Sequence, residues 1–332
     1  MSRRRFVAGV VLAVTPLGAT ASAQEYKAQQ AGKVYRVGFL GNSSAAIEAN
    51  LVGPFREGLR ELGYVEGRNI VIEYRWAEGE YERFPALIAE LAALNVDVIV
   101  TAGTPAALAV KRTAPSIPLV MAAVGDPIGV GLVASLARPG GNVTGLSAIA
   151  PELEGKRLEL LREVVPKLSH IAVLWNPDNP FLAASLKETR AAAQELGIKA
   201  QLVGVRISEE FPAAFAAIVR ERPGALLVLA DRIFLHNRAR IVDFEAQYRL
   251  PGVYPYRELV EAGGLMSFGP SYPGMHRRAA HYVDKILKGS KPADLPVEQP
   301  ATFGLIINLK AAKALGLTIQ PSLLQRADEI IQ

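Results

Sequence analysis

Apolar runs of strand length alternate with helix-patterned segments along almost the whole 332-residue chain, and the alternation occurs twice in the same order. Residues 33–41 (KVYRVGFLG) and 69–75 (NIVIEYR) read as strands, as do the near-continuous apolar runs at 96–103 and 117–125. Helical patterns lie between them at about 47–62, stopped by Gly63, then at 81–95 and 104–114, the last with Pro105 in its first turn. From residue 154 the plan restarts, with helix 154–165, strand 170–175, helix 180–197, strand 199–206, helix 210–222 and strand 224–231. Unbroken apolar strands separated by helices require a parallel sheet covered on both faces. The chain is therefore expected to be an α/β protein with two Rossmann-like lobes, each built on a parallel sheet.

The two halves also share short sequences at matching places. Glu61-Leu62-Gly63 recurs as Glu195-Leu196-Gly197, each closing the first helix of its half. Phe84-Pro85-Ala86 recurs as Phe211-Pro212-Ala213, each opening the next helix. On that alignment Gly103 and Asp231 fall at equivalent strand ends, which favours duplication of one unit over chance.

The first residues bear on compartment. Residues 1–23 combine Arg3-Arg4-Arg5, an apolar run from Phe6 to about Leu17, and Ala21-Ser22-Ala23, the layout of a secretory signal peptide with a small-residue cleavage site. The apolar run is shorter than the roughly 20 residues that a membrane span needs. Export by the Sec or the twin-arginine route fits the arginines, and the expected destination is the periplasm. Without residues 1–23 the formal net charge falls from +5 to +2, so the charge balance gives no case for nucleic-acid binding. The chain has no cysteine, which excludes disulfides and a lipid-anchored cysteine. A mature protein that is not membrane-inserted, and is a monomer, is the expectation.

In open α/β sheets a ligand binds beyond the carboxyl ends of the strands, near helix N-termini. Small polar residues occupy those ends in both halves: Asn42-Ser43-Ser44, Thr101, Gly103, Thr104, Asp126, Asn176, Asp178 and Asp231. If the halves face one another, these loops line one cleft. The glycine-rich stretch 125–145 would then lead from Asp126 towards the crossing into the second half.

The stretches 101–147 (TAGTPAALAVKRTAPSIPLVMAAVGDPIGVGLVASLARPGGNVTGLS), 173–180 (VLWNPDNP) and 249–272 (RLPGVYPYRELVEAGGLMSFGPSY) resemble those of ABC-transporter substrate-binding proteins of the family with tryptophan- and tyrosine-binding members. The likeness runs from about Val34 to Lys313. It implies the type I periplasmic-binding fold, with two lobes hinged by three crossings and closing over a ligand. It also implies a membrane permease as partner and no catalysis. The implied division is 24–147 plus 266–296 for lobe 1 and 148–265 plus 297–332 for lobe 2, with crossings near Ser147, Met266 and Val297. An alternative is a sensory receptor that presents its closed form to a chemoreceptor or sensor kinase.

An amino-acid ligand presents a carboxylate, an ammonium and a side chain. Ser43, Ser44 and Thr104 are carboxylate candidates, with N-capping as their structural alternative. Asp231 and Asp126 are ammonium candidates, and each could instead cap a turn or helix. Asn176 and Asp178 lie in a turn-forming Asn-Pro-Asp-Asn-Pro run. Among the rings Trp175, Phe234, Tyr254 and Tyr256, Tyr254 is the favoured ligand platform. Arg257 could meet a ligand carboxylate or pair with Glu261. No Gly-x-Gly-x-x-Gly after a strand, no Walker A lysine motif and no Gly-x-Ser-x-Gly elbow is present, and the four histidines have no metal-ligand spacing. No enzyme, cofactor or metal is therefore expected.

Overall fold

A computed structural model describes residues 33–148 and 151–332; the signal-peptide reading of residues 1–23 lies outside the described residues. The first sheet contains β1 (Tyr35–Gly41), β2 (Ile70–Trp76), β3 (Val98–Ala102), β4 (Leu119–Val124) and β5 (Val143–Ser147). All its pairings are parallel, in the order β2-β1-β3-β4-β5. Helices α1 (Ala49–Glu61), α2 (Phe84–Ala93) and α3 (Thr104–Thr113) connect the first four strands. Successive strand residues face opposite cores: Val37, Phe39, Val98 and Val100 pack with Phe55 and Leu59 of α1, whereas Leu40 and Ile99 pack with Ile88 of α2 and Val110 of α3. Burial on both faces explains why these strands read as continuous apolar runs.

The second half is ordered α4 (Pro151–Val164), β6 (His170–Trp175), α5 (Leu182–Glu195), β7 (Lys199–Gly204), α6 (Phe211–Glu221), β8 (Ala225–Val228), α7 (Arg232–His236), α8 (Arg238–Tyr248), β9 (Gly252–Tyr254), α9 (Arg257–Glu261) and β10 (Met266–Gly269). Its sheet repeats the first as β7-β6-β8-β9-β10. Two strands then extend it: β11 (Gly304–Asn308), antiparallel to β10, and β12 (Glu329–Ile331), parallel to β11. The recurring tripeptides occupy equivalent places, since α1 and α5 end at Glu61 and Glu195 and α2 and α6 begin at Phe84 and Phe211. Each of the latter two helices follows a one-turn 3-10 segment, Tyr81–Arg83 and Ser208–Glu210.

Two of the crossings fall a few residues beyond Met266 and Val297. Met266 begins β10 inside the second sheet, so the chain returns to the first only after Gly269, into α10 (Tyr272–Leu287). That helix packs on α1 and on β4 and β5. Val297 and Glu298 still belong with the first sheet, because the Glu298 amide donates to the Gly145 carbonyl at 2.9 Å and the Ser147 amide to the Glu298 carbonyl at 2.8 Å. The third crossing therefore falls between Glu298 and β11. The short helices α11 (Leu309–Ala314) and α12 (Pro321–Leu324) finish against the second core through Ala312 and Leu323. Gly145 has φ +127°, and a Cβ there would lie 2.2 Å from the Met121 carbonyl oxygen. Only glycine lets β5 close against β4 at the start of a crossing.

Candidate ligand-binding cleft

The carboxyl ends of the two sheets meet around a tight cavity of about 30 Å3, lined from both sides. The first sheet supplies Gly103, Thr104, Pro105, Ala123 and Gly125, at the ends of β3 and β4. The second supplies Asn179, Phe181, Ala230, Asp231 and Arg232 from the ends of β6 and β8, with Tyr256 after β9. Glu154 and Arg157 of α4, Tyr272 of α10 and Ala148 beside the first crossing complete the wall.

Asp231 N-caps α7, accepting from the Ile233 amide at 3.0 Å. The same carboxylate accepts from the Tyr81 hydroxyl at 2.6 Å and from Asn179 Nδ2 at 2.8 Å. Burial raises its pKa, and these donors, with Asn176, pull it back down. Tyr81 follows β2 in the first lobe, so this bond ties one lobe to the other. Burial and the Asp231 charge hold the Tyr81 hydroxyl well above its usual range, which keeps it a donor. Asn50 Nδ2 makes a second tie, donating to Glu258 Oε1 at 2.6 Å. Gly125 faces the Phe181 ring so closely that a Cβ would sit 2.6 Å from it.

Arg232 is 4% exposed, and its guanidinium lies 5.4 Å from the Tyr256 ring centre and 5.1 Å from that of Tyr272. Neither terminal nitrogen has a hydrogen-bond partner among the described residues. Burial works against its charge, but Tyr256, Glu48, Tyr272 and Glu258 outweigh it and hold the pKa above the ordinary value. Glu154 and Arg157, each 1% exposed, pair with each other at 2.8 Å, and Arg157 Nε donates to the Phe268 carbonyl at 2.8 Å. Burial raises the Glu154 pKa, while Arg157 opposes the rise.

Of the residues singled out from sequence, Gly103, Thr104 and Asp231 line the cavity, as does Tyr256 among the candidate rings. Gly103, at φ +82°, is the N-cap of α3, as Asp231 is of α7, so the equivalence read from the alignment holds in space. Thr104 Oγ1 lies 3.4 Å from the Gly125 carbonyl as donor. Asn42 stands just behind, with Oδ1 3.3 Å from where a Gly103 Cβ would be, Nδ2 donating to the Ala102 carbonyl, and Oδ1 without a hydrogen bond. The amides of Asn42 and Ser43 both donate to Glu48 Oε1 at 2.7 Å, and the buried Ser43 hydroxyl has no partner among the described residues. Asn176 accepts from the Asp178 amide at 2.9 Å and is fully buried near Asp231.

The others are placed elsewhere. Ser44 accepts from the Ile47 amide at 3.4 Å at the entrance to α1. Thr101 donates to the Leu40 carbonyl at 2.7 Å within the sheet. Asp126, at φ +25°, accepts from the Gly129 amide at 2.9 Å and caps its own turn. Asp178 is exposed and lies 3.5 Å from Arg206. Tyr254 is fully buried in the second lobe and donates its hydroxyl to Glu245, away from the cleft. Arg257 takes the surface alternative, pairing with Glu261 at 2.8 Å and with Glu329.

Cleft residues that the sequence does not single out include Tyr81, Glu154, Arg157, Arg232 and Tyr272. Arg232 had a legible signal, because it is a lone charge between the strand-end aspartate and the apolar run Ile233-Phe234-Leu235. Glu154 and Arg157 stand i,i+3 on a helix that otherwise reads as solvated, and Tyr272 enters from a segment more than a hundred residues from α4.

The family model described as ABC transporter substrate binding protein matches residues 44–331. A curated tyrosine-binding protein from Clostridioides difficile (strain R20291) is 27% identical over 263 residues, covering 79% of this chain and 75% of the relative. A solved ABC-domain structure from Streptococcus pneumoniae in complex with L-Trp is 28% identical, covers 90% of this chain and all of that one, and has a TM-score of 0.83. The ligand-free, open structure of a substrate-binding protein with adhesive properties from Clostridium difficile is 25% identical over the same shares, with a TM-score of 0.63. At similar identity the ligand-bound structure superposes better, in keeping with the bonds that join the lobes here. The arrangement of two parallel-sheet lobes is the type I periplasmic-binding fold.

Proposed function

The chain belongs to the ABC transporter substrate-binding protein family, and from that premise we propose that it is an exported receptor that captures a small ligand between its lobes and delivers it to the membrane permease of an importer. The observation that carries this reading is the cavity walled by both sheets, with Tyr81 and Asn50 of one lobe bonded to Asp231 and Glu258 of the other. A ligand lodged there touches both lobes only when they are together. It therefore binds the closed form better than the open one, which is the differential that closure requires.

An aromatic amino acid is the ligand class favoured by the names of the relatives and by the rings of Phe181, Tyr256 and Tyr272 in the wall. Residues 1–23 act as the export signal in this reading, the periplasm is the working compartment, and the receptor acts as a monomer. Among the described residues no helix is long and apolar enough to cross a membrane. Retention of the bound compound unchanged separates a receptor from an enzyme.

Thermal-shift screening against amino acids, aromatic acids, nucleosides and sugars tests the reading. A ligand at a hundred times its Kd is expected to stabilise the protein by about 2.7 kcal/mol. A protein that no small solute stabilises, or one that turns its best ligand over, would contradict the reading.

A further inference from the structure

Every charged side chain in the cleft wall except one already has its counterpart. Glu154 and Arg157 hold each other, and Asp231 accepts from Tyr81, Asn179 and the Ile233 amide. Arg232 alone presents a buried guanidinium with both terminal nitrogens unpartnered among the described residues. Leaving such a group unpaired is costly, since a buried charge needs both a counter-charge and hydrogen-bond acceptors. Glu48 and Glu258 influence Arg232 through space, but neither is ion-paired with it, and each already accepts on Oε1, Glu48 from Asn42 and Ser43 and Glu258 from Asn50.

The position of Arg232 adds a second feature from the opposite lobe. A Cβ on Gly103 would be 3.2 Å from Arg232 Cγ, so the arginine stem lies over the first residue of the α3 entrance. No side chain among the described residues caps that helix, and Gly103, Thr104 and Pro105 all open on the cavity. A helix N-terminus and a guanidinium thus converge on one space from different lobes, and both favour an anion. A planar carboxylate matches the guanidinium fork and leaves the ligand's body to the aromatic wall.

Resting on the receptor reading above, we propose that Arg232 and the α3 N-terminus receive the carboxylate of an aromatic acid, and that an α-ammonium on the ligand is dispensable. The second half follows from Asp231, whose carboxylate is occupied by protein donors that an ammonium would have to displace or share.

The test is calorimetry with four related probes: L-tyrosine, 4-hydroxyphenylacetate, its neutral amide 4-hydroxyphenylacetamide, and tyramine. The acid and L-tyrosine are expected to bind within about tenfold of each other, and the amide and tyramine at least about tenfold more weakly than the acid. Arg232→Gln is expected to abolish the preference for acid over amide, whereas Arg232→Lys keeps part of it. A merely structural arginine would lower affinity for both probes and leave their ratio unchanged, and that result would overturn the proposal. If Arg232→Gln does not fold, as judged by its thermal melt, the acid-to-amide ratio of the wild-type protein decides alone. Tight binding of tyramine or of an uncharged solute would overturn the carboxylate assignment and leave the receptor reading standing; no binding of any solute would overturn both.

Discussion

Tyr81, Asp231 and Gly125 show how single residues couple the two lobes. The Tyr81 hydroxyl crosses the cleft to a carboxylate that also caps a helix, so its removal affects closure more than the stability of either lobe. Tyr81→Phe is expected to weaken ligand binding by about 1.5–3 kcal/mol, the range for a hydrogen bond to a charged group, and calorimetry would read it. Gly125 makes a steric point at the same junction. Its Cβ position falls 2.6 Å from the Phe181 ring, so Gly125→Val would hold the lobes apart. We expect at least about tenfold weaker binding, roughly 1.4 kcal/mol, with an unchanged urea midpoint. A large loss of stability with intact affinity would show that the contact is not a lobe junction.

Residue roles were only partly legible beforehand. Asp231, Gly103 and Thr104 could be placed because a strand end followed by a helix start defines where a side chain or amide emerges. Whether such a residue meets a ligand or caps its own backbone depends on partners distant in sequence. Tyr81 lies 150 positions from Asp231, and no local pattern signals that pairing. The placement of Tyr254 was unreadable for a similar reason: alternation within a three-residue strand does not say which face looks into the core, and Glu245 on α8 claims its hydroxyl.

At the scale of elements, α10 closes the first lobe by packing on α1. Gly58 permits the approach, because a Cβ there would sit 2.6 Å from the Arg277 carbonyl oxygen of α10. Alanine normally stabilises a helix interior by about 1 kcal/mol over glycine. Here Gly58→Ala is expected to reverse sign and destabilise by about 1–3 kcal/mol in urea unfolding, since backbone cannot yield as a side chain does. A gain in stability would contradict the packing described.

Two buried groups give the elements opposite pH responses. Burial, opposed by the Tyr254 hydroxyl, pushes the Glu245 carboxyl of α8 up from 4.5 to about 8. Between those values the folded protein holds a proton that the unfolded chain has lost, so stability falls as pH rises. Burial and the Arg232 charge push His276 of α10 down from 6.5 to about 3. Between those values the unfolded chain binds a proton that the folded one refuses, so stability falls as pH drops. The two slopes, each about 1.4 kcal/mol per pH unit, oppose each other between pH 4.5 and 6.5 and act singly outside that window. Glu245→Gln should therefore flatten the decline of the urea midpoint between pH 6.5 and 8. A variant that declines as steeply as the wild type would remove Glu245 from this account.

For the whole molecule, the duplicated order of sheets follows from hydrophobic burial that recurs in both halves, and it was readable from sequence because parallel strands buried on both faces leave long apolar runs. The crossings were less readable. Met266 begins a short strand with no flanking signal, and only its pairing with β9 and β11 assigns it to the second sheet. The extension by β11 and β12 has no counterpart among the described residues of the first half, so the internal repeat could not announce it.

Small-angle X-ray scattering of the protein, with and without a saturating ligand from the screen, reads the hinge directly. The account requires the free protein to sample a more open form and the radius of gyration to fall when the ligand binds. Unchanged scattering at a concentration where calorimetry shows full occupancy would mean that binding does not draw the lobes together, and capture between closing lobes would be wrong.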